Sequence, residues 1–219
     1  MHAQLDSATR PRKPRNIVLV VFVSIVIFIY DVFKTVTTVL GVAFLIRFFL
    51  IQPFYVSGQS MDPTFEDNQY IIVDQVSYRF HQPHRGDVLV FRYPKNPAFS
   101  FIKRIVGLPG ETVVVHNGEV TIINKDYPAG TKLTEPYIPF QTSGEVRIQL
   151  KKEDKTKILA DGSHQQDEYF VLGDNRPNSS DSRSWGVLSR GFIIGKVWVI
   201  LYPFDQFETV QTPSYGKGL

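Results

Sequence analysis

At 219 residues the chain has room for one domain of ordinary size plus an anchor. It contains no cysteine, which excludes a disulfide framework and a thiolate metal site. The net charge of +3 is modest, and much of the excess sits in "RPRKPR", Arg10 to Arg15, which argues against a nucleic-acid-binding domain and fits the basic flank of a membrane segment.

The first predicted element is apolar: "IVLVVFVSIVIFIY" from Ile17, then "DVFKTVTTVLGVAFLIRFFLIQPF". A cleavable signal peptide needs small residues at its cleavage site, but Asp31, Val32, Phe33 and Lys34 come next. As one helix, Ile17 to Ile51 would run roughly 50 Å against about 30 Å of hydrocarbon. Two arrangements stay open: one helix that overshoots the bilayer, or two spans meeting near Asp31 to Lys34. Charge favours an odd number of crossings, because the basic residues precede Ile17 whereas Asp62, Glu66 and Asp67 follow Gln52. The chain therefore divides into a cytoplasmic tail (1–16), an anchor region (17–52, main span about 35–51), an outer domain (53–210) and a C-terminal tail (211–219). Lys34 and Arg47 can snorkel, and Phe48, Phe49, Phe54 and Tyr55 suit a membrane interface.

Beyond Pro53 the helical period disappears. "QYIIVDQVSYRF", "GDVLVFRY", "FIKRIVGL", "ETVVVHNGEVTII", "EYFVLG" and "FIIGKVWVILY" are short, rich in β-branched and aromatic residues, and bounded by Gly, Pro, Asn and Asp. Asn117-Gly118 is a strong hairpin signal. Residues 124–166, with "KKEDKTK", read as surface hairpins or loops. The predicted fold is mainly β, with coiled antiparallel sheets that are partly barrel-like, behind an N-terminal transmembrane helix.

Candidate chemistry starts at "FYVSGQSMDPTF", where Ser60 lies in a turn-rich stretch just past the apolar segment. A serine hydroxyl needs a base to become a nucleophile. None of the five histidines (His2, His81, His84, His116, His164) sits in a recognisable motif, and there is no G-x-S-x-G elbow. "HQPH" lacks the context of a metal site, and the Gly-rich phosphate loops are absent. Lysine is the remaining base, and Lys103 stands inside the apolar run "SFIKRIVGLPGE" immediately before Arg104. Neighbours on a strand point to opposite faces, so the two cations should diverge. Burial would depress the Lys103 pKa by some units, whereas a wet edge-strand lysine would stay charged; the segment alone leaves both open.

"SGQSMDPTF", "RGDVLVF", "FIKRIVGLPGE" and "GDNRPNSSDSRSWG", in that order behind an apolar segment, resemble the type I signal peptidase family from about Val32 to Tyr202. The resemblance implies that Ser60 is the nucleophile, Lys103 the neutral-amine base of a Ser/Lys dyad, and Ser179 a hydroxyl that hydrogen-bonds and orients the lysine. It implies that Asp181, Arg183 and Arg104 brace the site and that Gly173, Asp174 and Asn175 form a turn that places it. It also implies a substrate bound as an added strand, with small residues one and three positions before the cut facing Phe54, Val56, Met61, Phe65, Phe101 and Ile102. One departure is Gly58, where some members carry a serine whose hydroxyl helps hold the oxyanion.

The implied function is a membrane-anchored serine endopeptidase that removes signal peptides from exported precursors through an acyl-enzyme, with no metal or organic cofactor and no nucleic acid. Its partners are the lipid bilayer and membrane-tethered precursors; its implied place is the plasma membrane, N-terminus cytoplasmic and catalytic domain outside. Alternatives are a pilin- or organelle-type processing peptidase of the same fold and a non-catalytic membrane-tethered domain that binds extended peptides.

Overall fold

The structure, a computed structural model, describes residues 16–49, 51–159 and 161–215. The basic tail over 1–15, residues 216–219 and the side chains of Arg47, Phe48 and Phe49 lie outside the described residues.

Helix α1 (Ile17–Phe49) runs without a break through Asp31 and Lys34, so the single-helix arrangement is the one adopted. Its stretch Ile17–Phe44 is long and apolar enough to cross a membrane, by length and composition. The expected span over 35–51 shares this helix as far as Phe49, but Ile51 already opens a strand. That strand, β1 (Ile51–Tyr55), pairs antiparallel with β2 (Tyr70–Asp74). Sequence reading assigned it to the anchor and its tether, and Pro53 disguises it. A proline lacks the N–H a ladder uses, and is tolerated here because β1 ends its sheet.

The remaining domain is antiparallel β, as expected. After α2 (Ser77–Phe80) come β3 (Val88–Arg92), β4 (Ser100–Gly107), β5 (Thr112–His116), β6 (Glu119–Ile123), β7 (Thr131–Lys132), β8 (Val146–Gln149), β9 (Asp154–Ile158), β10 (His164–Gln165) and β11 (Glu168–Leu172). Then follow α3 (Ser182–Trp185), β12 (Leu188–Ser189), β13 (Ile193–Tyr202) and β14 (Glu208–Thr209). The main sheet runs β1-β2-β13-β3-β4-β11-β12, with β14 paired to β13, and does not close. A second sheet runs β7-β6-β5-β8. Its β5–β6 hairpin turns at Asn117 and Gly118 with φ of 50° and 80°, the left-handed geometry that this dipeptide favours.

Two departures from the sequence reading have local causes. "QVSYRF" does not extend β2; the Asp74 carboxylate accepts from the backbone N–H groups of Val76 and Ser77 and starts α2 instead. Residues 124–166 are more than surface decoration, because Leu133 and Leu150 are buried in one core with Val113, Ile122 and Phe170. A separate core gathers Val56, Met61, Phe65, Ile71, Val88 and Val197. The C-terminal residues up to Tyr215 are packed too: Thr212 Oγ1 donates to Asp87 Oδ1 at 2.8 Å, and the Tyr215 and Tyr137 hydroxyls meet at 3.0 Å.

Candidate active site

Ser60 follows β1 in a turn, and Lys103 is the fourth residue of β4. The fold brings Lys103 Nζ to 2.6 Å from Ser60 Oγ, while Ile102 O accepts a second bond from the same amine at 2.8 Å. Lys103 is 3% exposed, so of the two states open in the sequence the buried one is adopted. Burial pushes its pKa down to about 8, although the Asp181 and Asp174 carboxylates pull the other way. At pH 7.4 about a fifth of such an amine is neutral, against about one part in a thousand for a free lysine.

The predicted divergence of Lys103 and Arg104 holds, but both are buried. Arg104 turns to Asp174, with Nε to Oδ1 at 2.9 Å, and its guanidinium lies 4.3 Å from the Tyr137 ring centre. Thr64 Oγ1 donates to Asp174 Oδ2 at 2.6 Å, so the same carboxylate ties the strand to the serine loop. The turn Gly173-Asp174-Asn175 grips that loop directly. Asn175 donates from its backbone N–H to Ser60 O at 3.1 Å and from Nδ2 to Gln59 O at 3.0 Å.

Asp181 caps α3 and holds the other side of this turn. It accepts from Gly173 N–H at 3.1 Å and from Arg183 Nε and Nη2 at 2.8 and 2.7 Å. Gly173 is required by space alone: a Cβ there would come within 2.2 Å of Ser179 Oγ and 2.4 Å of Ser60 O. Gly173→Ala is therefore expected to destabilise the domain by about 1–3 kcal/mol and to lower activity, measurable by urea unfolding and initial rates together. Wild-type stability and rate would contradict this packing.

Ser179 Oγ lies beside Gly173 and makes no hydrogen bond to Lys103. Its hydroxyl is buried with no hydrogen-bond partner among the described residues, and Lys103 is held by Ile102 O instead. The oxyanion side also has a definite geometry. Gly58 sits at φ +99°, a conformation that side chains rarely adopt, and its N–H is taken by Asp67 Oδ1 at 2.7 Å. Ser60 N–H donates to no acceptor among the described residues.

The six residues assigned to substrate pockets separate. Val56, Met61 and Phe65 are core, with Phe54 and Ile102 half-buried against the same cluster. Phe101 packs on a different cluster, stacked on Tyr93 at 4.5 Å, with its ring centre 5.5 Å from Lys103 Nζ. Over Ser100–Lys103, β4 pairs with β3, whereas its other edge meets β11 only from Arg104 onward. An unpaired strand edge thus ends at Lys103, with β1 also at the margin of the sheet.

Sequence reasoning passed over Arg176, although it lies inside the quoted "GDNRPNSSDS". It is 1% exposed; Nε donates to Gly173 O at 3.0 Å, and its guanidinium pairs with Glu135 and Thr142. The signal was a basic residue next to the site turn; its partners are 41 and 34 residues away in a stretch read as loop. Among the described residues no group of three or more His, Asp or Glu side chains could hold a metal ion.

A family described as "Signal peptidase, peptidase S26" matches residues 29–202. The chain is 37% identical over 190 residues to a probable signal peptidase I-1 of Synechocystis sp., covering 82% of this chain and 86% of that protein. It is 39% identical to a signal peptidase I of Leptolyngbya laminosa (83% and 84% covered) and 32% identical to a signal peptidase IB of Staphylococcus aureus (82% and 94% covered). The crystal structure of a signal peptidase I from Enterococcus faecalis is similar at 29% identity and a TM-score of 0.39, covering 53% of this chain and 97% of that one. By the family match over most of its length and these relatives, the chain belongs to the signal peptidase family, peptidase S26, and is a serine endopeptidase.

Proposed function

We propose that this signal peptidase cuts exported precursors by a Ser60/Lys103 dyad, through an acyl-enzyme, after a small residue with another small residue two positions upstream. The observation that carries the proposal is the 2.6 Å approach of a buried, pKa-depressed lysine to the Ser60 hydroxyl.

In the first step neutral Lys103 takes the Ser60 proton as Oγ attacks the scissile carbonyl carbon. The oxyanion accepts from Ser60 N–H. As the C–N bond breaks, the Lys103 ammonium returns its proton to the leaving amine, and the acyl group stays on Ser60. Lys103, neutral again, then takes a proton from water, whose oxygen attacks the ester; the proton goes back to Ser60 Oγ as the acid departs. Arg104, Asp174, Asp181, Arg183 and the Gly173–Asn175 turn act by fixing the loop and the strand that carry the dyad. Ser179, next to Ser60, serves as an orienting hydroxyl once substrate enters.

Substrate adds as a strand to the open β4 edge, with its short side chains facing the half-buried Phe54 and Ile102. Helix α1 supplies the anchor, with the basic tail cytoplasmic and the β domain outside the plasma membrane, where precursors are held by their own signal peptides.

The test is a precursor panel with the detergent-purified enzyme. An Ala-x-Ala site should be cleaved, and leucine at either small position should lower kcat/KM by about a hundredfold. Equal cleavage of both would contradict the pocket assignment. Cleavage of one narrow precursor class alone would favour a specialised processing peptidase.

A further inference from the structure

Two adjoining cavities lie at the far end of the open strand edge. One, of about 480 Å³, is lined by Gln52 and Phe54 of β1, Ser100 of β4, Arg92 of β3 and Gln75. The other, of about 300 Å³, shares Gln75, Gly191, Ile193 and Ile194 with it and adds Arg79 and Arg190. No carboxylate lines either cavity. The nearby Asp74 is engaged with the backbone and hydroxyl of Ser77. Arg92 and Arg79 have no acidic partner among the described residues, and Arg190 is held on Tyr78, by the Tyr78 carbonyl and its ring. Three guanidinium groups thus border a polar trench, and none of them is ion-paired among the described residues.

The position of the trench follows from register. Lys103 lies three residues C-terminal to Ser100 on β4, Ser60 lies in the turn that follows β1, and Ser100 pairs with Arg92. A peptide strand along β4 rises about 3.3 Å per residue, so the residue beside Ser100 stands three positions from the one beside Lys103. The apolar Ile102 lies between Ser100 and Lys103, and Phe54 borders the trench itself. On the proposed function they face the small residues upstream of the cut, so the substrate continues into the trench.

We propose that Arg92, with Gln52 and Gln75 and the field of Arg79 and Arg190, forms an electropositive upstream subsite that selects acidic over basic side chains at the fourth to sixth positions before the cut. The inference rests on the strand-addition reading above. It accounts for a polar, cationic trench on a face where an apolar groove would otherwise continue.

The experiment uses full-length enzyme in lipid-free neutral detergent and paired Ala-x-Ala peptides with glutamate or lysine at those three positions. Wild type should favour the glutamate peptide by about two- to fivefold in kcat/KM, the range of an exposed ion pair, with the preference fading at about 1 M salt. Arg92→Glu should reverse it. Arg92→Gln, which removes the charge but keeps a polar side chain, should bring the ratio near one.

A preference unchanged in Arg92→Glu, or absent in wild type, overturns the subsite while Ala-x-Ala cleavage leaves the dyad reading standing. Failure to cleave either peptide would instead strike at the dyad reading. A variant whose only change is lost stimulation by vesicles of anionic lipid would overturn the peptide subsite in favour of a headgroup site.

Discussion

Lys103→Met is expected to lower kcat/KM for an Ala-x-Ala precursor by about 10⁴-fold and yet to make the domain more stable at pH 6. The two effects have one cause. Lys103 is 3% exposed and its pKa is pushed from 10.5 to about 8 by burial. A lysine whose pKa is lower folded than unfolded costs stability wherever both states are protonated, below about pH 8. That cost is relieved as pH rises toward 10.5, because in that window the unfolded chain binds more protons. The shift corresponds to about 3 kcal/mol.

Methionine has similar volume and no charge to desolvate. Allowing for the lost bonds to Ser60 and Ile102, the variant should gain about 1–3 kcal/mol at pH 6 and little at pH 10. Urea unfolding at the two pH values measures it. A variant less stable than wild type at pH 6 would mean that Lys103 is a structural cation.

Ser60→Ala should cost about as much activity, at least 10⁴-fold, with no acyl-enzyme detectable by intact mass. Its fold should survive, because the loop is fixed through its backbone: Ser60 O accepts from Asn175 N–H, and Gln59 O from Asn175 Nδ2. The sharper result concerns the double variant. If the hydroxyl and the amine act as one unit, Ser60→Ala combined with Lys103→Met should be scarcely slower than either single change. A double variant slower by the product of the two single losses would show two groups acting independently.

How far the sequence carried these conclusions depends on the range of each contact. Ser60 and Lys103 are 43 positions apart, and no local rule joins them; the order of motifs behind an apolar segment did. The strands with plain β chemistry, such as "GDVLVF" and "ETVVVHNGEVTII", appear where expected because their local preference and burial agree. β1 was hidden by Pro53 and by its continuity with the apolar helix.

The braces were legible only in part. Asp181 and Arg183 entered through the family resemblance as braces and pair with each other two residues apart, whereas Arg176 with Glu135 spans 41 positions through a charged stretch that looks like solvated loop. The tail up to Tyr215 gave no periodic signal, since single side chains such as Thr212 and Tyr215 hold it. Ser179 marks a different boundary: sequence placed it beside the site, but its hydroxyl contact depends on distances that motif spacing does not set.

The measurement that bears most directly on the dyad is the pH dependence of kcat/KM for an Ala-x-Ala precursor between pH 5 and 10. The base must be neutral in the free enzyme, so the rate should rise about tenfold per pH unit and level off above a single ionisation near pH 8. A rate that is flat from pH 5 to 9 would contradict Lys103 as the base.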